Sequence, residues 1–257
     1  MTATHCPYCA LQCAMSVAPA DPGVTPTVTP LEFPTNRGRL CQKGWTSAEV
    51  LTTPDRLTSP LVRRDGELVP TDWDTALTLV ADTLLRLRAE HGPESVAVFG
   101  GGGLTNEKAY TLGKFARVAL ATPNIDYNGR FCMSSAAAGG RWAFGLDRGL
   151  PFPLADLDGA GAILLVGSNP AETMPPFCTH LSGAQEAGGL IVVDPRRTPT
   201  AALTSDGRGL HLSPLPGTDL VLLLGLTQIL WTEGLIDRDY LAERVNGDMS
   251  ARIDNPT

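Results

Sequence analysis

Four of the six cysteines in this 257-residue chain stand within its first 41 residues, at Cys6, Cys9, Cys13 and Cys41, in the spacing C-x2-C-x3-C-x27-C. The same opening segment, to about residue 54, has little periodic apolar pattern and carries Pro7, Pro19, Pro22, Pro26, Pro30 and Pro34. A stretch so poor in core-forming pattern needs a cross-link or a metal to order it. No basic, apolar or twin-arginine leader precedes Cys6, so the expected compartment is the reducing cytoplasm, where disulfides are poor staples for a chain of this size. Three thiolates on a tight loop and a fourth from a distant point suit the corners of a 4Fe-4S cubane, one iron each. A structural zinc site is the alternative, but such sites usually pair two short C-x2-C knuckles, and the second knuckle is missing.

The remaining sequence reads as α/β. Residues 54–70 lead into a hairpin turning at Asp65-Gly66, a favoured turn pair. Residues 74–89 have helical apolar spacing, followed by a short strand at 95–99, the glycine tract Gly100 to Gly103, and a second helix over 106–120 capped by Thr105 or Asn106. The runs AILLV (162–166) and LIVV (190–193) are expected as strands buried on both faces of a parallel sheet, with a crossover helix over 175–187. Residues 220–231, interrupted by Gly225, Thr227 and Gln228, are too short to span a bilayer and read as a buried helix. The net charge of -7 offers no basic field to a nucleic-acid backbone, so neither nucleic acid nor membrane is an expected partner.

Cys41 is followed by Gln42, Lys43, Gly44 and Trp45, and residues 124–139 read NIDYNGRFCMSSAAAG. With these two motifs the chain resembles the molybdopterin-dependent oxidoreductase family, of the assimilatory nitrate reductase type. The resemblance implies a small N-terminal iron-sulfur domain (1–55), a partial α/β molybdopterin oxidoreductase domain (56–130) and a truncated α/β dinucleotide-binding domain (131–257), Rossmann-like with a largely parallel sheet. It places Lys43 between cluster and pterin, makes Cys132 the candidate molybdenum ligand and Asn128 a cofactor contact. Taken alone, Lys43 would read as a solvated surface lysine, and Cys132 as a buried or capping thiol.

Three further loops match the family's cofactor contacts: VGSNPAET (166–173) with Gly167, Ser168, Asn169 and Glu172; VDPRRT (193–198) with Asp194 and Arg196; and PGTD (216–219) with Gly217, Thr218 and Asp219. Gly103, in a G-G-x-x-N-E run ending at Asn106 and Glu107, belongs with them; the tract lacks Gly-Lys-Ser/Thr and is no P-loop. Each loop alone is also readable as a helix cap or a turn. His5, His91, His180 and His211 stand singly and read as structural or surface groups, and Cys178 as a small buried thiol.

The function implied is reduction of nitrate to nitrite at molybdenum held by two molybdopterin guanine dinucleotides and Cys132. Electrons would enter through the cluster past Lys43, from ferredoxin, flavodoxin or an NADH-linked reductase subunit. Formate-oxidising relatives carry histidine after the metal-bound residue; Met133 stands there and cannot transfer a proton. Formate dehydrogenase is the alternative within the family, and a non-catalytic iron-sulfur or nucleotide-binding module the alternative outside it. Members of the family are much longer, so the chain is expected to be a fragment.

Overall fold

The computed structural model describes residues 1–146 and 149–246. They form two compact units, one of residues 1–50 with the chain from 152 onward, the other of residues 51–151. The first unit opens with strands β1 (Thr2–His5), β2 (Ala14–Ala18) and β3 (Thr27–Pro30), an antiparallel sheet in that order. Sequence pattern missed this sheet because each strand is four or five residues long, too short for an alternation to stand out. Met15 and Val28 turn inward with Cys6, Leu11, Cys13 and Ala48 to make a small core, joined at its edge by Phe177. The short helix α1 (Gln42–Trp45) follows Cys41.

Asn36 holds this region together. It has no exposed surface. Its Oδ1 accepts from the Ala14 amide at 3.0 Å, and its Nδ2 faces the carbonyls of Ala14, Leu31 and Arg39 at 3.3, 3.1 and 2.9 Å. The backbone of the returning loop, which runs from β3 to Cys41, would otherwise bury these polar groups unpaired.

The second unit contains β4 (Leu61–Arg64), β5 (Glu67–Pro70), α2 (Trp73–His91), β6 (Val98–Gly100), α3 (Asn106–Lys114), β7 (Ile125–Tyr127), α4 (Gly129–Cys132) and α5 (Ser134–Phe144). The hairpin β4-β5 turns at Asp65 and Gly66, both at positive φ (50° and 91°), as a two-residue primed turn requires. Asp72 caps α2, accepting from the Thr75 amide at 2.7 Å and its hydroxyl at 2.9 Å, and these bonds hold its carboxyl below the usual range. Thr105 caps α3 as expected, and residues Phe115–Ala119 continue it as a π turn. The expected strand at 95–99 lies later, at Val98–Gly100, because Pro93–Ser95 form a 3-10 turn. It pairs in parallel with β7. At Gly100 a Cβ would sit 2.3 Å from the Tyr127 ring, so only glycine fits under that side chain.

Back in the first unit, β8 (Ile163–Val166), α6 (Pro170–Thr173), α7 (Ser182–Glu186), β9 (Leu190–Val193), α8 (Pro199–Ala202) and β10 (Gly209–Leu212) build a parallel sheet of order β10-β9-β8. The central β9 is buried as expected, but β8 is an edge: Leu164 and Val166 remain exposed. Gly209 starts β10 because a Cβ there would lie 1.9 Å from the Leu190 carbonyl oxygen. The expected crossover helix is a 3-10 turn over Pro175–Leu181 before α7, since Pro175 and Pro176 have no N–H to give. Leu181, Ala184, Leu190, Val192 and Ala201 form its core.

The expected burial of residues 220–231 is also overturned. The 220–231 segment does form a helix, α9 (Asp219–Thr232), before α10 (Arg238–Arg244), but none of its residues is buried. Leu220, Val221 and Leu224 are 60–70% exposed because α9 is apolar all round and no described element covers it. No described helix is long and apolar enough to cross a membrane.

Asn36→Leu should destabilise the chain by roughly 2–4 kcal/mol, because it strands one amide and up to three carbonyls in the interior. A lowered urea midpoint at unchanged slope is the expected reading.

Candidate metal and cofactor site

The register of β1 with β2 builds the cysteine loop. His5 pairs with Ala14, and the next bond inward, Cys6 amide to Cys13 carbonyl at 2.9 Å, closes an eight-residue loop over residues 6–13. Inside it Gln12 takes a left-handed conformation (φ 49°) and donates to the Cys9 carbonyl at 3.1 Å. Cys6 and Cys13 are buried, Cys9 and Cys41 half-buried, and all four are free thiols. Cys41 stands at the head of α1, its carbonyl accepting from Gly44 and Trp45.

Burial pushes the Cys13 thiol up to about 11, and the neighbouring Cys9, Cys6 and Cys41 push it the same way. That mutual repulsion puts the four sulfurs in one electrostatic neighbourhood, where bound cations would reverse the balance. Among the described residues no group of three or more His, Cys, Asp or Glu is arranged to hold a single metal ion. Three cysteines on one loop and a fourth at the head of α1 fit the four corners of an iron-sulfur cluster.

Lys43 connects this loop to the parallel sheet. Its Nζ donates to the Thr173 carbonyl at 2.8 Å, at the end of α6. The candidate residues Gly167, Ser168, Asn169 and Glu172 lie between β8 and that point, with Gly167 at positive φ (60°) and its amide on the Val193 carbonyl. Asn169 is fixed from three sides. Its Nδ2 donates to Glu172, its backbone carbonyl accepts from the Thr173 hydroxyl at 3.0 Å, and its Oδ1 accepts from the Thr200 hydroxyl at 2.7 Å. Thr200, fully buried, also accepts from the Ala171 amide at 3.0 Å. Neither Thr200 nor Asn36 was singled out from sequence, since both act through contacts far along the chain.

The other two loops leave the same sheet edge. Asp194 follows β9 and its Oδ1 accepts from the Arg196 amide at 2.8 Å, a turn that leaves the Arg196 side chain exposed. Gly217, Thr218 and Asp219 follow β10; Gly217 has φ 85°, and the Thr218 hydroxyl donates to the Leu215 carbonyl at 2.7 Å rather than capping α9. All three candidate loops therefore lie at the carboxyl ends of parallel strands, the edge where open α/β sheets take ligands. Cys178 is half-buried, with burial pushing its thiol up.

In the other unit, the glycine tract follows β6 and Asn128 follows β7, again at the carboxyl ends of a parallel pair. The Asn128 amide donates to the Gly100 carbonyl at 3.1 Å, and its carbonyl accepts from Phe131 and Cys132. A Cβ on Gly102 would come within 3.3 Å of Asn128 Oδ1, so the tract makes room for that side chain, with Gly103 open beside it. Cys132 ends α4 as an exposed free thiol, followed by exposed Met133. The thiol is accessible, as are its neighbours Phe131 and Met133, so it does not serve as a core packing group.

Two sequence families match the chain: the Molybdopterin oxidoreductase Fe4S4 domain over residues 1–52, and Molybdopterin oxidoreductase over residues 56–242. The assimilatory nitrate reductase catalytic subunit of Bacillus subtilis is 41% identical over 95% of this chain and 34% of its own length. The F420-dependent formate dehydrogenase 1 subunit alpha of Methanococcus maripaludis is 35% identical over 95% of this chain and 35% of its own length. Among solved structures, acetylene hydratase from Pelobacter acetylenicus shares the fold, with a TM-score of 0.76 at 23% identity over 95% of this chain and 33% of that one. The chain spans about a third of the length of the curated relatives it matches. It belongs to the molybdopterin oxidoreductases, a family of oxidoreductases that carry a molybdopterin cofactor, and opens with that family's Fe4S4 domain.

Proposed function

We propose that the protein to which these residues belong reduces nitrate to nitrite, with electrons entering through the 4Fe-4S cluster of Cys6, Cys9, Cys13 and Cys41. The observation that carries this reading is the pair Cys132-Met133. A thioether holds no transferable proton, so the position beside the proposed molybdenum ligand is unsuited to deprotonating formate. Oxygen-atom transfer asks for no acid or base on that residue. The greater identity to the nitrate reductase, 41% against 35% for the formate dehydrogenase, supports the same choice.

In this reading Gly103 and Asn128, and the loops of Gly167 to Glu172, Asp194 to Arg196 and Gly217 to Asp219, hold two molybdopterin guanine dinucleotides. When bound, the molybdenum cofactor supplies two-electron chemistry for the balance nitrate plus two electrons and two protons giving nitrite and water. Lys43, fastened to the Thr173 carbonyl, keeps a fixed positive charge between the cysteine loop and the β8 loop. Such a charge favours passage of an electron across that interval. The donor is a ferredoxin, a flavodoxin or an NADH-linked reductase subunit, in the cytoplasm.

Two experiments test the proposal. The full-length enzyme should oxidise a reduced dye with nitrate and reduce none with formate; the reverse pattern establishes the formate dehydrogenase reading, which the 35% identity over the same 95% of the chain supports. Metal analysis after anaerobic purification should give about four irons and one molybdenum for the long form and iron alone for the 257-residue chain. Cys41→Ala should lower the iron, and Cys132→Ala should leave it in place while nitrate reduction falls to background. Zinc in place of iron would sink the cluster assignment.

A further inference from the structure

Thr200 stands in the first turn of α8, polar and without exposed surface. Its partners come from the segment after the neighbouring strand. The ladder between β8 and β9 ends where the Gly167 amide donates to the Val193 carbonyl at 2.9 Å. Beyond that bond Thr200 ties the two segments together again. Its Oγ1 donates to Asn169 Oδ1 at 2.7 Å and accepts from the Ala171 amide at 3.0 Å. Thr198 sets α8 for this, accepting from the Ala201 amide at 3.1 Å as the N-cap of that turn.

Two ordinary roles are exchanged here. An asparagine at a helix N-cap usually turns its oxygen onto the amides of its own first turn. Asn169 holds that position before α6 and makes no such bond. Thr200 serves the α6 amide in its stead, and the asparagine oxygen turns inward to Thr200. A hydroxyl has a single proton, and with the Ala171 N–H on its oxygen that proton needs an acceptor, which makes Oδ1 the facing atom. On the other side the Glu172 carboxylate only accepts, and it meets Nδ2. One neighbour that must donate and one that can only accept leave the carboxamide a single orientation, with its NH2 on the side of the exposed Glu172. The Asn169 backbone carbonyl is held too, by the Thr173 amide and hydroxyl, both at 3.0 Å.

We propose that Thr200 is a positioning residue for cofactor binding. With no exposed surface of its own, its hydroxyl sets the Asn169 carboxamide and locks the segment after β8 to the segment after β9, so that both meet the guanine dinucleotide as one preformed surface. This rests on the reading that these loops hold the dinucleotide; the choice between nitrate and formate plays no part in it. Serine keeps both duties of the hydroxyl, whereas valine keeps the shape and loses both.

The test compares the full-length enzyme as wild type, Thr200→Val, Thr200→Ser, Asn169→Ala and the Thr200→Val/Asn169→Ala double variant, purified anaerobically. Iron and acid-released guanine nucleotide are measured per chain during mild heating at one temperature. Thr200→Val should lose guanine nucleotide about tenfold faster than wild type, the equivalent of one or two hydrogen bonds, while its iron stays in place. Thr200→Ser should match wild type, and Thr200→Val should add little to Asn169→Ala, because Thr200 acts through that side chain. A merely destabilising change would loosen iron along with nucleotide, since the cysteine loop belongs to the same unit. Nucleotide held at the wild-type rate by Thr200→Val, equal loss from Thr200→Ser, or parallel loss of iron overturns the proposal alone. Wild-type enzyme without guanine nucleotide sinks the cofactor reading and the proposal with it. Where Thr200→Val fails to fold, Asn169→Ala decides. Loss about tenfold faster with iron retained upholds the proposal, and loss at the wild-type rate leaves Thr200 nothing to position and overturns it.

Discussion

The carboxamide of Asn36 and the backbone of Ala14 satisfy one another in both directions, Oδ1 accepting from the amide and Nδ2 facing the carbonyl. Ala14 is the residue after Cys13 and the first of β2; Asn36 lies five residues before Cys41. One buried amide therefore fastens the near end of the cysteine loop to the segment that supplies the fourth cysteine. The same side chain also covers carbonyls at Leu31 and Arg39, so the whole returning segment is organised around a single polar group. In a region with a core of only six buried residues, such a network sets the positions that apolar packing leaves loose.

Beyond that knot the first unit is arranged by its parallel strands. Since β8, β9 and β10 run in one direction, the segments after them must emerge on one edge, and the three loops proposed to hold the cofactor fall there. Their local geometry is then settled by neighbours. Thr200, from the segment after β9, orients Asn169 in the segment after β8, and Lys43 crosses to Thr173. Altering one loop consequently disturbs the next, which is how a set of individually weak motifs acts as one surface.

Legibility followed range. Features decided within a few residues could be read directly: the Asp65-Gly66 turn, the Thr105 cap, and the strand at 190–193, whose four consecutive apolar residues belong to a central strand. The sheet of β1, β2 and β3 could not, because strands of four and five residues carry too few alternations and are recognised only by partners up to 15 residues away. His180 read as an isolated histidine; its partners at Thr35 and Asp158 lie 145 and 22 residues distant. The burial of residues 220–231 was inferred from composition, and composition says that a helix needs cover without saying where the cover comes from. Of the candidate site, residue types and spacing were visible in advance, while the supports, Asn36, Thr200 and Asp158, belong to tertiary structure.

The His5–Ala14 pair and the Cys6–Cys13 bond close the cysteine loop with backbone hydrogen bonds alone. In small metal domains the ion is the nucleus about which the chain collapses, and the affinity measured is mostly folding free energy. Here the Cys6–Cys13 and Gln12–Cys9 backbone bonds set the path of the chain through three of the cysteines, and Asn36 ties that loop to the segment that carries the fourth. A substitution in that backbone ladder or at Asn36 therefore reaches the cysteines without touching a thiol.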